Sequence, residues 1–205
     1  MITISASLLA ADQDNLLQEV ESLPASITSL HLDIEDGIQV SNFGLSLKSI
    51  GDLPQSWPKE VHLMVVHPEQ FIASLQDLNV TCFFVNVSAW GKRMTWKVSS
   101  KNIGLVINPS DDIESSSQNI QEANHILVMG VVPGKSGQAM LPGTLARVQA
   151  VKTLNPTARI TVDGGVNAQN APELIQSGVN QLVVGSYLFN SIDKKKAVED
   201  LLDSA

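Results

Sequence analysis

The stretch EVHLMVVHPEQFIASLQDLNVTCFFVNV, residues 60–87, decides the fold. It opens with a short apolar, β-branched run at residues 60–65 and closes with a second such run at residues 81–87. Residues 68–78 lie between these runs and place apolar side chains on one side of a helix: Phe71, Ile72, Leu75 and Leu78. A strand, a helix and a strand in this order predict two parallel strands that a helical crossover connects.

The same alternation extends through the whole chain. The predicted strands are residues 2–7, 29–34, 60–65, 81–87, 103–107, 125–131, 159–162 and 181–184. The predicted helices are residues 14–23, 45–52, 68–78, 92–98, 111–123, 142–154, 170–177 and 194–202. This repetition predicts an α/β protein whose parallel strands close into a single (β/α)8 TIM barrel, one domain over residues 1–205. An open doubly wound sheet is the alternative, but residues 7–11 (SLLAA) lack the glycine-rich turn that often follows its first strand.

The composition argues against several classes of partner. The 205 residues are 43% hydrophobic and carry a formal net charge of −8, which disfavours a surface for nucleic acid. No apolar run approaches the ~18 residues of a membrane span, and the first residues show no pattern of a secretory signal. The lone Cys82 has no partner for an internal disulfide. We therefore expect a cytoplasmic protein that binds neither nucleic acid nor membranes.

Four metal-ligand candidates lie in or just after predicted strands: His31, Asp33, His62 and Asp163. His31 and Asp33 are two residues apart on one strand, so their side chains share a face. In a barrel, the ends of the strands meet at the C-terminal mouth, where active sites lie. Two imidazoles and two carboxylates suit one divalent cation such as zinc, iron, manganese or cobalt. No dinucleotide fingerprint or Walker loop is present, so we expect no organic cofactor.

The chain resembles the ribulose-phosphate 3-epimerases and their sugar-phosphate epimerase relatives. The resemblance covers nearly the full chain, and its segments occur in the family's order: SASLLAAD (5–12), HLDIEDG (31–37), VHLMV (61–65), GLVINP (104–109), VMGVVPGKSGQ (128–138), VDGGV (162–166) and VVGS (183–186). One such motif would be weak support, but seven in register are specific.

The resemblance implies an isomerase that inverts C3 of a ketose phosphate, ribulose 5-phosphate/xylulose 5-phosphate or a related pentulose or hexulose phosphate. The family's metal ligands match His31, Asp33, His62 and Asp163, and its two catalytic proton carriers match Asp33 and Asp163. Removal of the C3 proton forms an enediolate, and its return on the opposite face requires two such carriers. The family's remaining pattern implies substrate contacts at Ser7, Met64 and Met129.

Glycine-rich loops supply the expected phosphate site. Gly164 and Gly165 follow the seventh predicted strand, and Gly185 and Ser186 follow the eighth, where many barrels hold phosphate with backbone amides. The resemblance implies that the loop at residues 133–138, which includes Gly134 and Gly137, closes over the ligand. Relatives assemble as even-numbered oligomers, so the resemblance also implies a homo-oligomer.

The sequence departs from the family pattern at several positions. Glu35 stands where a methionine is common, and Asn86 and Ser88 replace a common His-x-Glu. Another ketose phosphate therefore stays open as the substrate. A non-catalytic sugar-phosphate-binding barrel with a regulatory role is the alternative function, although retention of both aspartates favours an enzyme. Related barrel synthases and decarboxylases commonly place a lysine on an early strand, and the second strand here offers none.

Overall fold

Eight parallel strands close into a barrel in the order in which they occur along the chain. The structure is a computed structural model and describes residues 2–96 and 98–202. The strands are β1 (Thr3–Ser7), β2 (Ser29–Glu35), β3 (Lys59–Met64), β4 (Val80–Asn86), β5 (Ile103–Ile107), β6 (His125–Met129), β7 (Arg159–Asp163) and β8 (Gln181–Val184). The predicted fold class, a (β/α)8 TIM barrel, is confirmed.

Helices lie around the outside of the barrel, between successive strands and after the last strand. In the described part of the chain they are α1 (Leu16–Glu21), α2 (Leu47–Gly51), α3 (Pro68–Leu75), α4 (Val87–Trp90), α5 (Ser117–Glu122), α6 (Thr144–Leu154), α7 (Ala171–Gln176), α8 (Ser186–Phe189) and α9 (Lys194–Leu202). Short 3-10 turns add Leu8–Ala10, Gln13–Asn15, Arg93–Thr95 and Ser100–Asn102. None of the described helices has both the length and the apolar character needed to cross a membrane.

The sequence predicts a helix over residues 92–98, and this prediction is wrong. The chain forms α4 earlier and then a 3-10 turn at Arg93–Thr95, while Lys97 lies outside the described residues. Tertiary contacts explain the difference, because the Trp90 side chain is buried and the Arg93 guanidinium lies 4.1 Å above its ring. Arg93 also donates a hydrogen bond of 2.6 Å to Glu122 of α5. The sequence did not predict the short α8, which follows β8 directly.

Strand β2 is buried along its whole length because it faces two cores. Leu30, Leu32 and Ile34 point outward and pack in the layer between barrel and helices. The alternate residues point into the barrel, and they include His31 and Asp33. The other strands follow the same rule, so a smaller inner cluster fills the barrel: Cys82, Phe84, Val106, Leu127, Met129, Val131 and Val183.

Gly104 of β5 leaves room for the ring of Phe84 inside the barrel. A Cβ atom at Gly104 would lie 2.4 Å from Cδ1 of Phe84. We expect Gly104→Ala to lower the free energy of unfolding by about 1–3 kcal/mol, because the ring must move within a packed interior. Thermal and urea denaturation measure this change. Gly51→Ala is the matched control, since no atom lies within 4 Å of its added Cβ; an equal loss in both variants would contradict the packing argument.

Candidate functional site

The candidate site is a cavity at the C-terminal mouth of the barrel. Strand ends and the loops after them form its wall, as the barrel architecture predicts. The lining residues are Ser7, Leu9, Asp33, Glu35, Met64, Met129, Val131, Pro133, Gly134, Lys135, Ser136, Gly137, Gln138, Asp163, Gly164, Gly165, Val166, Val183, Gly185 and Ser186. The cavity therefore combines acidic groups, apolar side chains and glycine-rich backbone in one space.

His31, Asp33, His62 and Asp163 lie together at the base of this cavity. One nitrogen or oxygen atom from each residue lies within 4.8 Å of the corresponding atoms of the other three. His31 Nε2 is 3.6 Å from both Asp33 Oδ1 and Asp163 Oδ2. His62 Nδ1 is 3.3 Å from Asp33 Oδ1. All four residues are buried. The structure thus brings together the four ligand candidates predicted from the sequence.

Strand register explains why these residues converge. His31 and Asp33 are both inward-facing residues of β2, and Asp33 lies opposite His62 in the β2–β3 pairing. Asp163 is the last residue of β7 and reaches the same level from another part of the ring. Ser7, the last residue of β1, donates a hydrogen bond of 3.2 Å to Asp33 Oδ2. This bond holds one carboxylate oxygen of Asp33 while the other faces the imidazoles.

The donor set fits a divalent cation. Both ring nitrogens of His31 and of His62 are buried without a hydrogen-bond partner among the described residues. Unpartnered polar atoms in a protein interior are unfavourable, and a ligand that satisfies them removes the penalty. Zinc ligands at about 2.0–2.1 Å in a tetrahedral arrangement stand about 3.3 Å apart, and His62 Nδ1 and Asp33 Oδ1 are also 3.3 Å apart. Imidazole nitrogen and carboxylate oxygen are moreover common ligands of zinc, iron and manganese.

Burial and mutual charge shift the protonation of the cluster in the absence of a cation. Burial raises the pKa of Asp33, but His31 and His62 outweigh this effect and hold the pKa well below its usual range. Burial raises the pKa of Asp163 to about 6, with His31 opposing and Asp33 adding to the rise. Burial lowers the pKa of His31, but nearby carboxylates, Asp33 first, raise it to about 9. A cation would therefore have to displace protons from the cluster.

Phe84 separates the cluster from a polar layer deeper in the barrel. Its ring centroid lies 6.1 Å from that of His31 and 4.7 Å from that of His125. His125 Nε2 is hydrogen-bonded to Thr161 Oγ1 at 2.8 Å, and Thr161 donates to Gln181 Oε1 at 2.9 Å. Burial and the charge of Arg159 lower the pKa of His125 to about 3. His125 is thus a neutral structural residue that lies outside the cluster.

The predicted substrate contacts all line the cavity. They are Ser7, Met64, Met129, Gly134, Gly137, Gly164, Gly165, Gly185 and Ser186. Met64 and Met129 end β3 and β6 and are almost fully buried, so they give the wall an apolar face. The structure places these nine residues around one space, next to the cluster.

Gly164 and Gly165 form a close backbone approach that only glycine permits. Their φ angles are 104° and 70°, in the left-handed region. A Cβ at Gly164 would lie 2.4 Å from Val131 Cγ2, and one at Gly165 would lie 2.3 Å from the backbone nitrogen of Met140. The two glycines therefore let the backbone after β7 pack against Val131 and Met140 while it lines the cavity.

Gln138 fixes the shape of the loop after β6. Its Nε2 donates hydrogen bonds to the carbonyl oxygens of Val132 at 2.7 Å and Lys135 at 2.9 Å. Asn42, from the loop after β2, donates to the carbonyl oxygen of Gly134. This role of Gln138 was not predicted from the sequence, in which Gln138 is only the last residue of the loop at residues 133–138. A glutamine that follows two turn-forming glycines was the available signal.

The departures from the family pattern occupy different places. Glu35 lines the cavity, whereas Asn86 and Ser88 do not and instead border an outer groove. Asn86 Oδ1 accepts a hydrogen bond of 2.9 Å from Asn108 Nδ2. Of these three departures, only Glu35 is positioned to contact a ligand in the cavity.

Solved structures share the fold at low sequence identity. The structure of 3-hexulose-6-phosphate synthase from Salmonella typhimurium aligns with a TM-score of 0.74 at 12% identity, covering 99% of this chain and 98% of that chain. At this identity the likeness establishes the barrel fold alone.

Sequence comparison identifies much closer relatives. Ribulose-phosphate 3-epimerase of Helicobacter pylori strain J99 is 35% identical over 97% of this chain and 95% of its own length. Ribulose-phosphate 3-epimerase of Methanocaldococcus jannaschii is 30% identical over 100% of this chain and 92% of its own length. Residues 3–189 match the pattern of the ribulose-phosphate 3 epimerase family. The match covers all eight strands and the four clustered residues, and the chain therefore belongs to the ribulose-phosphate 3 epimerase family.

Proposed function

We propose that this protein is a metal-dependent epimerase that inverts C3 of a ketose phosphate, with ribulose 5-phosphate and xylulose 5-phosphate as the first candidates. Family membership puts the chain among isomerases that act on carbohydrates. One observation carries the rest: two histidines with unpartnered nitrogens and two aspartates converge beside a cavity that glycine-containing loops line.

His31, Asp33, His62 and Asp163 are the proposed ligands of one divalent cation. A cation at this position supplies Lewis-acid stabilisation where negative charge develops on the substrate. The cavity opens directly onto the two aspartates, since both line its wall. A substrate in the cavity can therefore contact the carboxylates of Asp33 and Asp163. The side chains of His31 and His62 lie behind these carboxylates, and each residue is 0% exposed.

Asp33 and Asp163 are the proposed proton carriers. They project from β2 and β7, which two other strands separate on one side of the ring. One carboxylate takes the proton from C3, the electron pair moves into the enediolate, and the other residue, as the acid, returns a proton to the opposite face of C3. The Ser7 hydroxyl orients Asp33 through the bond to Oδ2. The reverse direction exchanges the two roles.

Backbone amides after β7 and β8 are the proposed phosphate site. Gly164 and Gly165 line the cavity together with Gly185 and Ser186 from the neighbouring strand end. Backbone N–H groups bind phosphate without requiring lysine or arginine. The loop at residues 133–138 completes the wall, and its closure over the ligand would exclude water from the enediolate.

Metal removal and hydrogen exchange at C3 test this function together. We expect the purified chain, loaded with zinc, manganese, iron or cobalt, to convert D-ribulose 5-phosphate into D-xylulose 5-phosphate in deuterated water and to place deuterium at C3. Dialysis against a chelator should reduce the rate by about 100-fold or more, and one cation should restore it. The rate is measured by proton NMR. Binding of both sugars without exchange, with any of the four metals, would favour the non-catalytic regulatory barrel instead.

A further inference from the structure

Glu35 is a buried carboxylate that the proposed proton transfers do not use. It is the last residue of β2 and lies opposite Met64 in the β2–β3 pairing. The residue is only 6% exposed, and it lines the same cavity as the two proposed proton carriers. Its Oε1 atom is buried and has no hydrogen-bond partner among the described residues.

A carboxyl oxygen in this position points to a ligand. Leaving a polar atom buried without a partner is unfavourable by about 1–3 kcal/mol, and by more for a charged group. The neighbouring wall offers little compensation, because Met64 and Met129 present thioethers that donate no hydrogen bond. A bound molecule that carries a hydrogen-bond donor would satisfy Oε1.

The position of Glu35 along the cavity indicates which part of the ligand it meets. Glu35 follows Asp33 by two residues on β2, so its Cα lies about 6.6 Å closer to the mouth along the strand. The proposed phosphate site lies on the loops after β7 and β8, whereas Glu35 ends β2, which β1 separates from β8. C1 and the phosphate are at opposite ends of a ketose phosphate, so a substrate with C2 and C3 at the clustered residues can place C1 beside Glu35, on a part of the wall that the phosphate loops do not form.

We infer that Glu35 accepts a hydrogen bond from the C1 hydroxyl of the substrate and selects ketose phosphates that carry this hydroxyl. The inference rests on the proposed function for the placement of phosphate and of C3. Glu35 is a specificity-determining residue in this account: it binds the remote hydroxyl and takes no part in proton transfer at C3. Sugar phosphates that lack a donor on C1 leave Oε1 unsatisfied and bind more weakly.

Paired ligands and paired variants test the inference. Apparent dissociation constants of D-xylulose 5-phosphate and 1-deoxy-D-xylulose 5-phosphate, each first brought to equilibrium with its C3 epimer, are measured by isothermal titration calorimetry on the metal-loaded full chain. We expect the wild-type protein to bind the hydroxylated compound about 10- to 100-fold more tightly. Glu35→Met should reduce this ratio to about threefold or less, and Glu35→Gln, which keeps an acceptor oxygen without charge, should give an intermediate ratio. Glu69→Gln removes an exposed carboxylate outside the cavity and should keep the wild-type ratio.

The outcomes separate this inference from the proposed function. Equal affinities for the two compounds in the wild-type protein overturn the inference, even if the protein exchanges deuterium into C3 of xylulose 5-phosphate. A ratio unchanged in Glu35→Met overturns it as well. If Glu35→Met does not fold, the affinity ratios of the wild-type protein and of Glu35→Gln test the inference, and an unchanged ratio in Glu35→Gln overturns it. If the protein binds the compound with the C1 hydroxyl more tightly but exchanges no deuterium into C3, the role of Glu35 in binding is supported and the proposed epimerisation is contradicted. If neither compound binds, both the inference and the proposed function are overturned.

Discussion

Asp163→Asn is expected to lower the rate of C3 inversion by about 10³-fold or more, because an amide cannot carry the proton that one face of the substrate requires. The substitution is isosteric, so the barrel should remain folded. Proton NMR in deuterated water with each epimer in turn measures both inversion and exchange. The account further predicts that the epimer served by Asp33 still gains deuterium at C3 while keeping its configuration, since Asp33 can remove and return a proton on the same face.

Two controls make this expectation interpretable. Metal content of the variant is measured by plasma mass spectrometry, so that loss of the cation is not mistaken for loss of the proton carrier. Asp77→Asn changes an exposed aspartate beyond the end of α3 and should invert C3 at the wild-type rate. Inversion within about threefold of wild type in Asp163→Asn would reject the scheme with two proton carriers.

His62→Gln is expected to abolish stable metal binding and to lower C3 inversion by about 100-fold or more, because an imidazole ligand is removed from a buried set of four. The glutamine keeps polar atoms in the space but replaces a nitrogen that lies 3.3 Å from Asp33 Oδ1. Metal per chain after dialysis and the NMR rate of inversion are the two readouts.

His67→Gln is the matched control for this variant. His67 lies in the connection between α3 and β3, the strand that carries His62, but its side chain is 64% exposed and contacts Glu69. The His67→Gln variant should retain the wild-type metal content and the wild-type rate of C3 inversion. Full metal binding by His62→Gln would remove His62 from the ligand set and contradict the proposed centre.

The barrel could be predicted because its strands are buried on both faces and its helices on one. Residues 60–87 show both patterns in a single stretch, and the same alternation recurs to β8. The ends of the helices could be predicted less accurately than the strands, because long-range contacts determine where a helix begins and ends. The region after β4 is the clearest example. The helix predicted over residues 92–98 does not form there, because burial of Trp90 and the contact of Arg93 with Glu122 determine the course of the chain.

The members of the clustered site could be predicted for a similar reason. In a parallel barrel the ends of the strands meet at one mouth, so ionisable residues at those ends become neighbours whatever their separation in sequence. Gln138 could not be recognised in this way, because its partners are carbonyl groups whose positions depend on the folded loop. Glu35 was recognised as a departure, but only the structure shows that it faces the cavity while Asn86 is hydrogen-bonded to Asn108.

Anomalous diffraction from crystals grown with cobalt tests the central claim most directly. The account predicts one strong anomalous peak at the barrel mouth, about 2.0–2.2 Å from a nitrogen of each histidine and an oxygen of each aspartate in the cluster. Strong peaks elsewhere, with none among His31, Asp33, His62 and Asp163, would contradict it.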